Sequence, residues 1–102
     1  MLIGDNLTLK ICDFGWCAAD SEPRETFCGT LEYMPPEMIE NGQHNHTLDV
    51  WGLGILLYEL LHGHAPYQAT EYVSMKRLLE HGKIKYRKGL PDDVKDLIYA
   101  ML

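Results

Sequence analysis

The alternation of apolar and polar residues predicts a short strand near the start of the chain. Residues 7–12 read Leu-Thr-Leu-Lys-Ile-Cys, a period of two that is typical of a half-buried strand. Asp5 and Asn6, just before this run, indicate a turn. We therefore expect a β-hairpin or a single strand at the N-terminus.

The strongest apolar pattern predicts a helix over about residues 48–62, buried at the centre of the fold. Thr47 is placed to cap this helix, Asp49 lies near its positive end, and Gly63 ends it. Its apolar residues recur on nearly every side, which is typical of a helix enclosed by other elements. They are Val50, Trp51, Leu53, Ile55, Leu56, Leu57, Tyr58, Leu60 and Leu61.

The remaining patterns predict further helices and one long loop. Amphipathic spacing predicts helices over about residues 70–81 and 92–102, and Pro35-Pro36 precedes a short helix over residues 37–40. Residues 16–30 have no periodicity and are expected to form an exposed loop. The chain is interpreted as one domain over residues 1–102, an α+β fold that is mainly helical with a small β element.

The composition excludes several classes of protein. Apolar residues make up 46% of the chain, enough for a core, while the net charge of −6 argues against nucleic-acid binding. The longest apolar run, Leu53 to Leu61, is too short to cross a bilayer, so no membrane association is expected. Three cysteines without a paired framework, and no visible signal peptide, indicate an intracellular protein, cytoplasmic or nuclear.

Histidines and cysteines raise the alternative of a zinc site. The sequence has neither a Cys-x-x-Cys pair nor two histidines separated by three residues, so zinc binding is disfavoured. The basic cluster within residues 83–88 is interpreted as a solvated loop rather than a ligand site. The candidate zinc ligands are His44, His46, His62, His64, Cys17 and Cys28.

The most specific motif lies between residues 13 and 37. This segment begins with Asp13-Phe14-Gly15 and ends with Pro35-Pro36-Glu37, a pair of triplets that frames a protein-kinase activation segment. Phosphoryl transfer requires metal-bound phosphates, and a carboxylate such as Asp13 suits Mg²⁺, a cation that prefers oxygen ligands. Gly15 allows the backbone to turn sharply after the triplet.

Residues 9–67 resemble the C-terminal lobe of eukaryotic serine/threonine protein kinases and, more closely, the Aurora kinase family. Trp16 after the first triplet, and Pro-Pro-Glu in place of Ala-Pro-Glu, are the more Aurora-like details. The matching stretches are residues 9–11, 13–16, 26–33, 35–40, 49–54, 58–59 and 66–67. The resemblance implies that the chain is a partial kinase domain with an activation segment over residues 13–37.

The resemblance also implies ATP and Mg²⁺ as cofactors of the parent kinase. Asp13 matches the metal-binding aspartate, and Leu2 and Cys12 match residues that line the adenine pocket. Thr30 matches the threonine that contacts the catalytic aspartate. Thr26 matches the activation-loop phosphorylation site, where a phosphate would add about −1.5 to −2 charges at pH 7.

Structural and partner roles follow from the same resemblance. Gly15 completes the metal-binding triplet, Glu37 matches a glutamate that pairs with a buried arginine, and Asp49 matches the aspartate that braces the catalytic loop. Residues 29–33 would face a protein substrate, and an activating peptide partner is implied for the parent. A spindle or centrosome location rests on family analogy alone.

Three residues depart from the usual Aurora pattern, and several kinase motifs are absent from the sequence. Cys17, Gly52 and Glu25 differ from the usual Aurora pattern, and Gly52 should cost its helix up to ~1 kcal/mol relative to alanine. The chain has no Gly-rich loop, no strand lysine and no His-Arg-Asp catalytic loop with its asparagine. We therefore expect a kinase fragment that is inactive alone. The alternatives are a non-catalytic kinase-like binding module or a pseudogene product.

Overall fold

A small antiparallel hairpin opens the fold. The computed structural model describes residues 1–14, 30–40 and 45–102. Strand β1 (Leu2–Ile3) pairs with strand β2 (Leu9–Lys10), with Leu2 opposite Lys10 and Ile3 opposite Leu9. A 3₁₀ turn over Asp5–Leu7 joins them, with Asn6 and Leu7 both at φ 59°. The turn indicated by Asp5-Asn6 is therefore present.

Four α-helices form the rest of the described structure. They are α1 (Pro36–Ile39), α2 (Thr47–His62), α3 (Tyr72–His81) and α4 (Asp92–Met101), and a 3₁₀ turn over Leu31–Tyr33 precedes α1. No helix among the described residues is long and apolar enough to cross a membrane.

Local chemistry explains where α2 begins and ends. Thr47 is its first residue rather than its cap, and His46 occupies the cap position. The Asn45 side-chain oxygen accepts the Thr47 backbone N–H at 2.9 Å. Gly63 ends the helix at φ 80°, a left-handed conformation that glycine adopts without steric cost, and its N–H donates to the Glu59 carbonyl at 2.7 Å.

The helices enclose two adjoining apolar clusters. The larger cluster lies between α1, α2 and α3, and the smaller lies between α2 and α4. Ile84 and Leu102 pack against both clusters, so the two form a continuous apolar interior. The buried residues of the larger are Met34, Met38, Ile39, Trp51, Ile55, Ala65, Tyr67 and Met75, and those of the smaller are Tyr58, Leu90 and Ile98.

The helix predicted to be buried at the centre of the fold, α2, has one side that no described residue covers. Val50, Leu53 and Leu60 are 46%, 55% and 75% exposed, because no described element packs against that side of the helix. The half-buried strand predicted over residues 7–12 is likewise reduced to Leu9–Lys10, and Leu9 is 64% exposed. The alternation of the sequence identifies an apolar face, but among the described residues that face is uncovered.

Candidate functional site

Three of the predicted site residues lie together at one end of the hairpin. Leu2 pairs with Lys10, and Cys12 follows two residues later, so the register brings Leu2 and Cys12 to the same end. Cys12 is a half-buried free thiol, whereas Leu2 is 61% exposed. Asp13 comes next in the chain, so its backbone lies just beyond the same end of the hairpin.

Asp13 is exposed and has an unusual backbone conformation. Its φ of 66° lies in the left-handed region, which aspartate enters more readily than most residues with a side chain. Within the described residues its carboxylate makes no hydrogen bond or ion pair, so both oxygens remain available to a ligand.

The residues present are compatible with Mg²⁺ but not with an all-protein metal cage. Among the described residues, no three His, Cys, Asp or Glu side chains lie close enough together to hold a metal ion. Mg²⁺ is commonly held by one or two carboxylates together with water and substrate phosphates. A single carboxylate at Asp13 fits that mode of binding, in which the phosphates supply most of the remaining oxygen ligands.

Thr30 begins a second part of the site, a turn that is fixed to α2. The exposed Thr30 accepts the Tyr33 backbone N–H through its carbonyl at 2.9 Å. The Tyr33 hydroxyl donates a hydrogen bond to the Glu59 carboxylate. Burial, this hydrogen bond and the charges of Glu59 and Glu32 raise the pKa of Tyr33 to about 12. The phenol therefore stays protonated at neutral pH and keeps the turn attached to the helix.

Glu59 is the site residue that sequence reasoning missed. It lies in a stretch that matches the family pattern, but the pattern alone implies no role for it. The available signal was a single carboxylate within the apolar run from Leu53 to Leu61. A charge in that setting requires a polar partner, and the structure identifies the partner as Tyr33.

Glu37 and Asp49 occupy the first turns of their helices. Glu37 is half-buried in α1, beside the buried Met38 and Ile39, and Asp49 is exposed in α2. Both carboxylates lie where the helix dipole favours negative charge. Neither forms an ion pair or side-chain hydrogen bond with another described residue. The pairing partners implied for them by resemblance are thus not found within this part of the chain.

The described residues place the predicted site in two groups. Leu2, Cys12 and Asp13 belong to the hairpin, whereas Thr30, Glu37 and Asp49 belong to the helical part. The chain between the two groups, residues 15–29, lies outside the described residues, and so do Gly15 and Thr26. Their predicted roles stay predictions.

Comparison with known proteins agrees with the motifs. Residues 1–102 match the protein kinase domain family over the whole chain. Aurora kinase A-A of Xenopus laevis is 41% identical over 103 residues, which cover 100% of this chain and 25% of that protein. Serine/threonine-protein kinase Aurora-1 of Arabidopsis thaliana is 42% identical over 104 residues, covering 100% of this chain and 35% of that protein.

A third relative gives the same result. Aurora kinase B of Mus musculus is 41% identical over 103 residues, covering 100% of this chain and 30% of that protein. The chain thus spans only about a quarter to a third of the length of these relatives. With Asp13 just beyond the hairpin and the Thr30 turn fixed to α2, the match over all 102 residues shows that this chain belongs to the protein kinase domain family and resembles the Aurora kinases throughout.

Proposed function

We propose that the chain forms the activation-segment part of the C-terminal lobe of an Aurora-like serine/threonine kinase. The parent enzyme would transfer the γ-phosphoryl group of ATP to hydroxyl groups of protein substrates. The observation that carries the proposal is the Asp13 carboxylate, exposed at the hairpin exit and without a partner among the described residues. Such a group is free to bind a divalent cation through oxygen.

The residues around Asp13 have complementary roles in this proposal. Asp13 holds Mg²⁺, and the neighbouring Leu2 and Cys12 give apolar contact to the adenine of ATP. When bound, Mg²⁺ neutralises the charge that develops on the transferred phosphoryl group. Thr30 contacts and orients the catalytic aspartate of the parent enzyme.

The turn over residues 30–33 presents the protein substrate. The Tyr33–Glu59 hydrogen bond supports this role, because it holds the turn in one position on α2. Phosphorylation of Thr26, which precedes the turn, would add negative charge that arginine side chains can bind. An activating peptide partner and an intracellular location belong to the same proposal, by family analogy.

The uncovered apolar surfaces support the assignment to a larger lobe. Val50, Leu53 and Leu60 expose one side of α2, and Ile3 and Leu9 are 73% and 64% exposed on the hairpin. Burying a side chain of this size contributes about 1.5–3 kcal/mol, so these surfaces favour contact with the rest of the parent domain. The 102 residues lack a catalytic-loop base, and we expect no phosphoryl transfer from them alone.

A chimeric kinase tests the proposal directly. Residues 1–102 replace the aligned segment of an Aurora kinase, and phosphorylation of a protein substrate is measured with Mg²⁺ and ATP. We expect activity, and we expect Asp13→Asn to lower kcat by about a hundredfold or more, because a metal ligand is lost. Asp5→Asn, at an exposed aspartate in the hairpin turn, is the matched control and should leave kcat unchanged.

Two results would contradict this function. A folded, active chimera that is insensitive to Asp13→Asn would remove Asp13 from the reaction. Turnover by the purified chain of 102 residues would show that the prediction of inactivity is wrong.

The second candidate, a non-catalytic binding module, is favoured by one observation. The helices share a continuous apolar interior that includes residues with no exposed surface, Ile55 and Ile98. Urea unfolding of the isolated chain separates the two candidates. A cooperative transition favours a module that folds by itself, whereas a gradual one favours a part of a larger lobe.

A further inference from the structure

The segment between α3 and α4 displays a row of positive charges on an ordered backbone. In this segment, residues 83–89 (the strap), exposed and half-buried residues alternate from Lys83 to Arg87, as in an extended chain. Ile84 and Tyr86 face the apolar clusters. The exposed residues are Lys83, Lys85, Arg87, Lys88 and Gly89.

Hydrogen bonds anchor the strap through its backbone and through Tyr86. The buried Tyr58 hydroxyl donates to the Lys85 carbonyl, and burial raises the pKa of Tyr58, which keeps this donor protonated. The Arg87 backbone N–H donates to Nε2 of His62 at 3.1 Å. The Tyr86 hydroxyl donates to the Lys95 carbonyl at 3.3 Å. None of these bonds uses the charged end of a lysine or arginine.

The hydrogen-bond partners of His62 select one tautomer of its imidazole. Its Nδ1 lies 2.9 Å from the Tyr58 carbonyl, which can only accept a hydrogen bond, so Nδ1 carries the proton. Nε2 is then free to accept the Arg87 N–H. The imidazole also stacks on the Tyr58 ring, with ring centres 3.8 Å apart and planes 2° from parallel. The strap is therefore held against a rigid aromatic platform.

The cations of the strap are unpaired within the described residues. The ion pairs there join Lys76 to Glu80, His81 to Glu80 and Lys95 to Asp92, and none involves the strap. Four positive charges thus lie within six residues of a chain whose net charge is −6. Because the backbone is already ordered, a partner that binds these side chains need not order it, and that lowers the entropic cost of association.

We propose that the strap is a docking surface for an extended acidic peptide of a partner protein. Lys83, Lys85 and Arg87 alternate along the strap, so neighbouring cations on this face are about 6.6–6.8 Å apart along the chain. Acidic residues at alternate positions of an extended peptide have the same spacing and match it charge for charge.

The surroundings favour a peptide over a nucleic acid or a membrane. Asp92 and Asp93 at the start of α4 follow the strap closely in the chain, and they would repel a long polyanion. The chain as a whole carries 15 acidic residues against nine basic ones. A single short row of cations, followed in the chain by Asp92 and Asp93, suits a narrow ligand that touches the row alone.

Binding of a fluorescent peptide with glutamate at alternate positions tests the proposal. The complete chain is used, and fluorescence anisotropy gives the dissociation constant. We expect saturable binding that weakens with added salt. Replacing the glutamates of the peptide by glutamine should weaken binding by about tenfold or more.

Paired charge reversals provide the matched controls. Lys85→Glu with Arg87→Glu should weaken binding by about tenfold or more, and these exposed side chains take no part in the anchoring bonds. Lys76→Glu with Arg77→Glu, on the surface of α3, changes the net charge equally and should alter binding by less than about twofold. Circular dichroism confirms that both variants keep the helical content of the wild type. The strap reversal should also gain binding to the same peptide with lysine in place of glutamate.

Three outcomes would overturn the proposal. One is a lack of binding at peptide concentrations up to about 1 mM. Another is an equal loss of binding in both charge reversals, which would indicate non-specific attraction. The third is tighter binding of single-stranded RNA or of phosphatidylserine vesicles than of the peptide, which would assign the strap to a different class of partner.

Discussion

Replacing Gly54 by alanine tests how closely α2 and α4 approach each other. A Cβ atom at this buried position would lie 2.8 Å from Cδ2 of Leu102 and 2.9 Å from Cβ of Met101. The Leu102 methyl group can rotate away, but Cβ of Met101 is fixed to the backbone of α4, so the end of that helix must shift. Overpacking of this kind costs about 1–3 kcal/mol. The higher helix propensity of alanine offsets up to ~1 kcal/mol of that cost. We expect a net loss of up to about 2 kcal/mol in the free energy of unfolding.

Gly52 provides the matched control, two residues away on the same helix. No atom lies within 4 Å of a Cβ built there, so Gly52→Ala should stabilise the chain by about 0.5–1 kcal/mol. Urea unfolding followed by circular dichroism measures both variants. If Gly54→Ala is as stabilising as Gly52→Ala, α2 and α4 do not approach each other as closely as described. If both variants are destabilised alike, the propensity argument fails.

Three further predictions concern single side chains. Tyr33→Phe should lower the free energy of unfolding by about 1–2 kcal/mol at neutral pH, and a double-mutant cycle with Glu59→Gln should show coupling. Because the pKa of Tyr33 is raised from 10.0 to about 12, this stabilisation is complete below pH 10 and disappears between pH 10 and 12. If Tyr33→Phe loses as much stability as the wild type over this pH range, the reasoning is contradicted. Ile98→Ala removes a side chain with 0% exposure and should cost about 2–5 kcal/mol in urea unfolding, several times the effect of an exposed leucine-to-alanine change. Leu7→Gly should stabilise the hairpin by about 1 kcal/mol, because Leu7 has φ 59° and is 87% exposed; unchanged hydrogen exchange at the Gly4 amide, which donates to Thr8, would refute this.

The helices were predictable because their signals are local. Apolar spacing and a terminal glycine predict α2 over about 48–62, and the structure has Thr47–His62. The helix predicted over about 92–102 is observed as Asp92–Met101. The predicted start of α3 is two residues early, since Glu71 is still extended at φ −123°. The mainly helical fold with a short antiparallel hairpin is confirmed.

Burial was less predictable, because it depends on which elements adjoin a residue. Leu53 and Ile55 are equally apolar and two residues apart on α2, yet one is 55% exposed and the other 0%. Their positions on the helix differ by about 200°, and only one side meets other described elements. An apolar pattern that covers every side of a helix carries no information about which side is covered.

The residues of the candidate site also differ in whether local sequence or distant partners identify them. Asp13 could be proposed as a site residue from its motif, since the triplet is contiguous in the sequence. Glu59 could not, because its partner Tyr33 lies 26 residues away. The anchoring of Lys85 by Tyr58 spans 27 residues, and no local pattern encodes it. The sequence therefore predicts a solvated loop for the strap, whereas in the structure the strap is an ordered row of charges.

Tyr58 and Glu59 are neighbours on α2, yet they hold different parts of the chain. Successive helical residues point about 100° apart, so one turn of α2 holds the strap through Tyr58 and the turn over residues 30–33 through Glu59. The helix thus carries two attachment points that face different directions. A rotation of α2 that loosens one attachment displaces the other, and the two surfaces are mechanically linked although they share no direct hydrogen bond among the described residues.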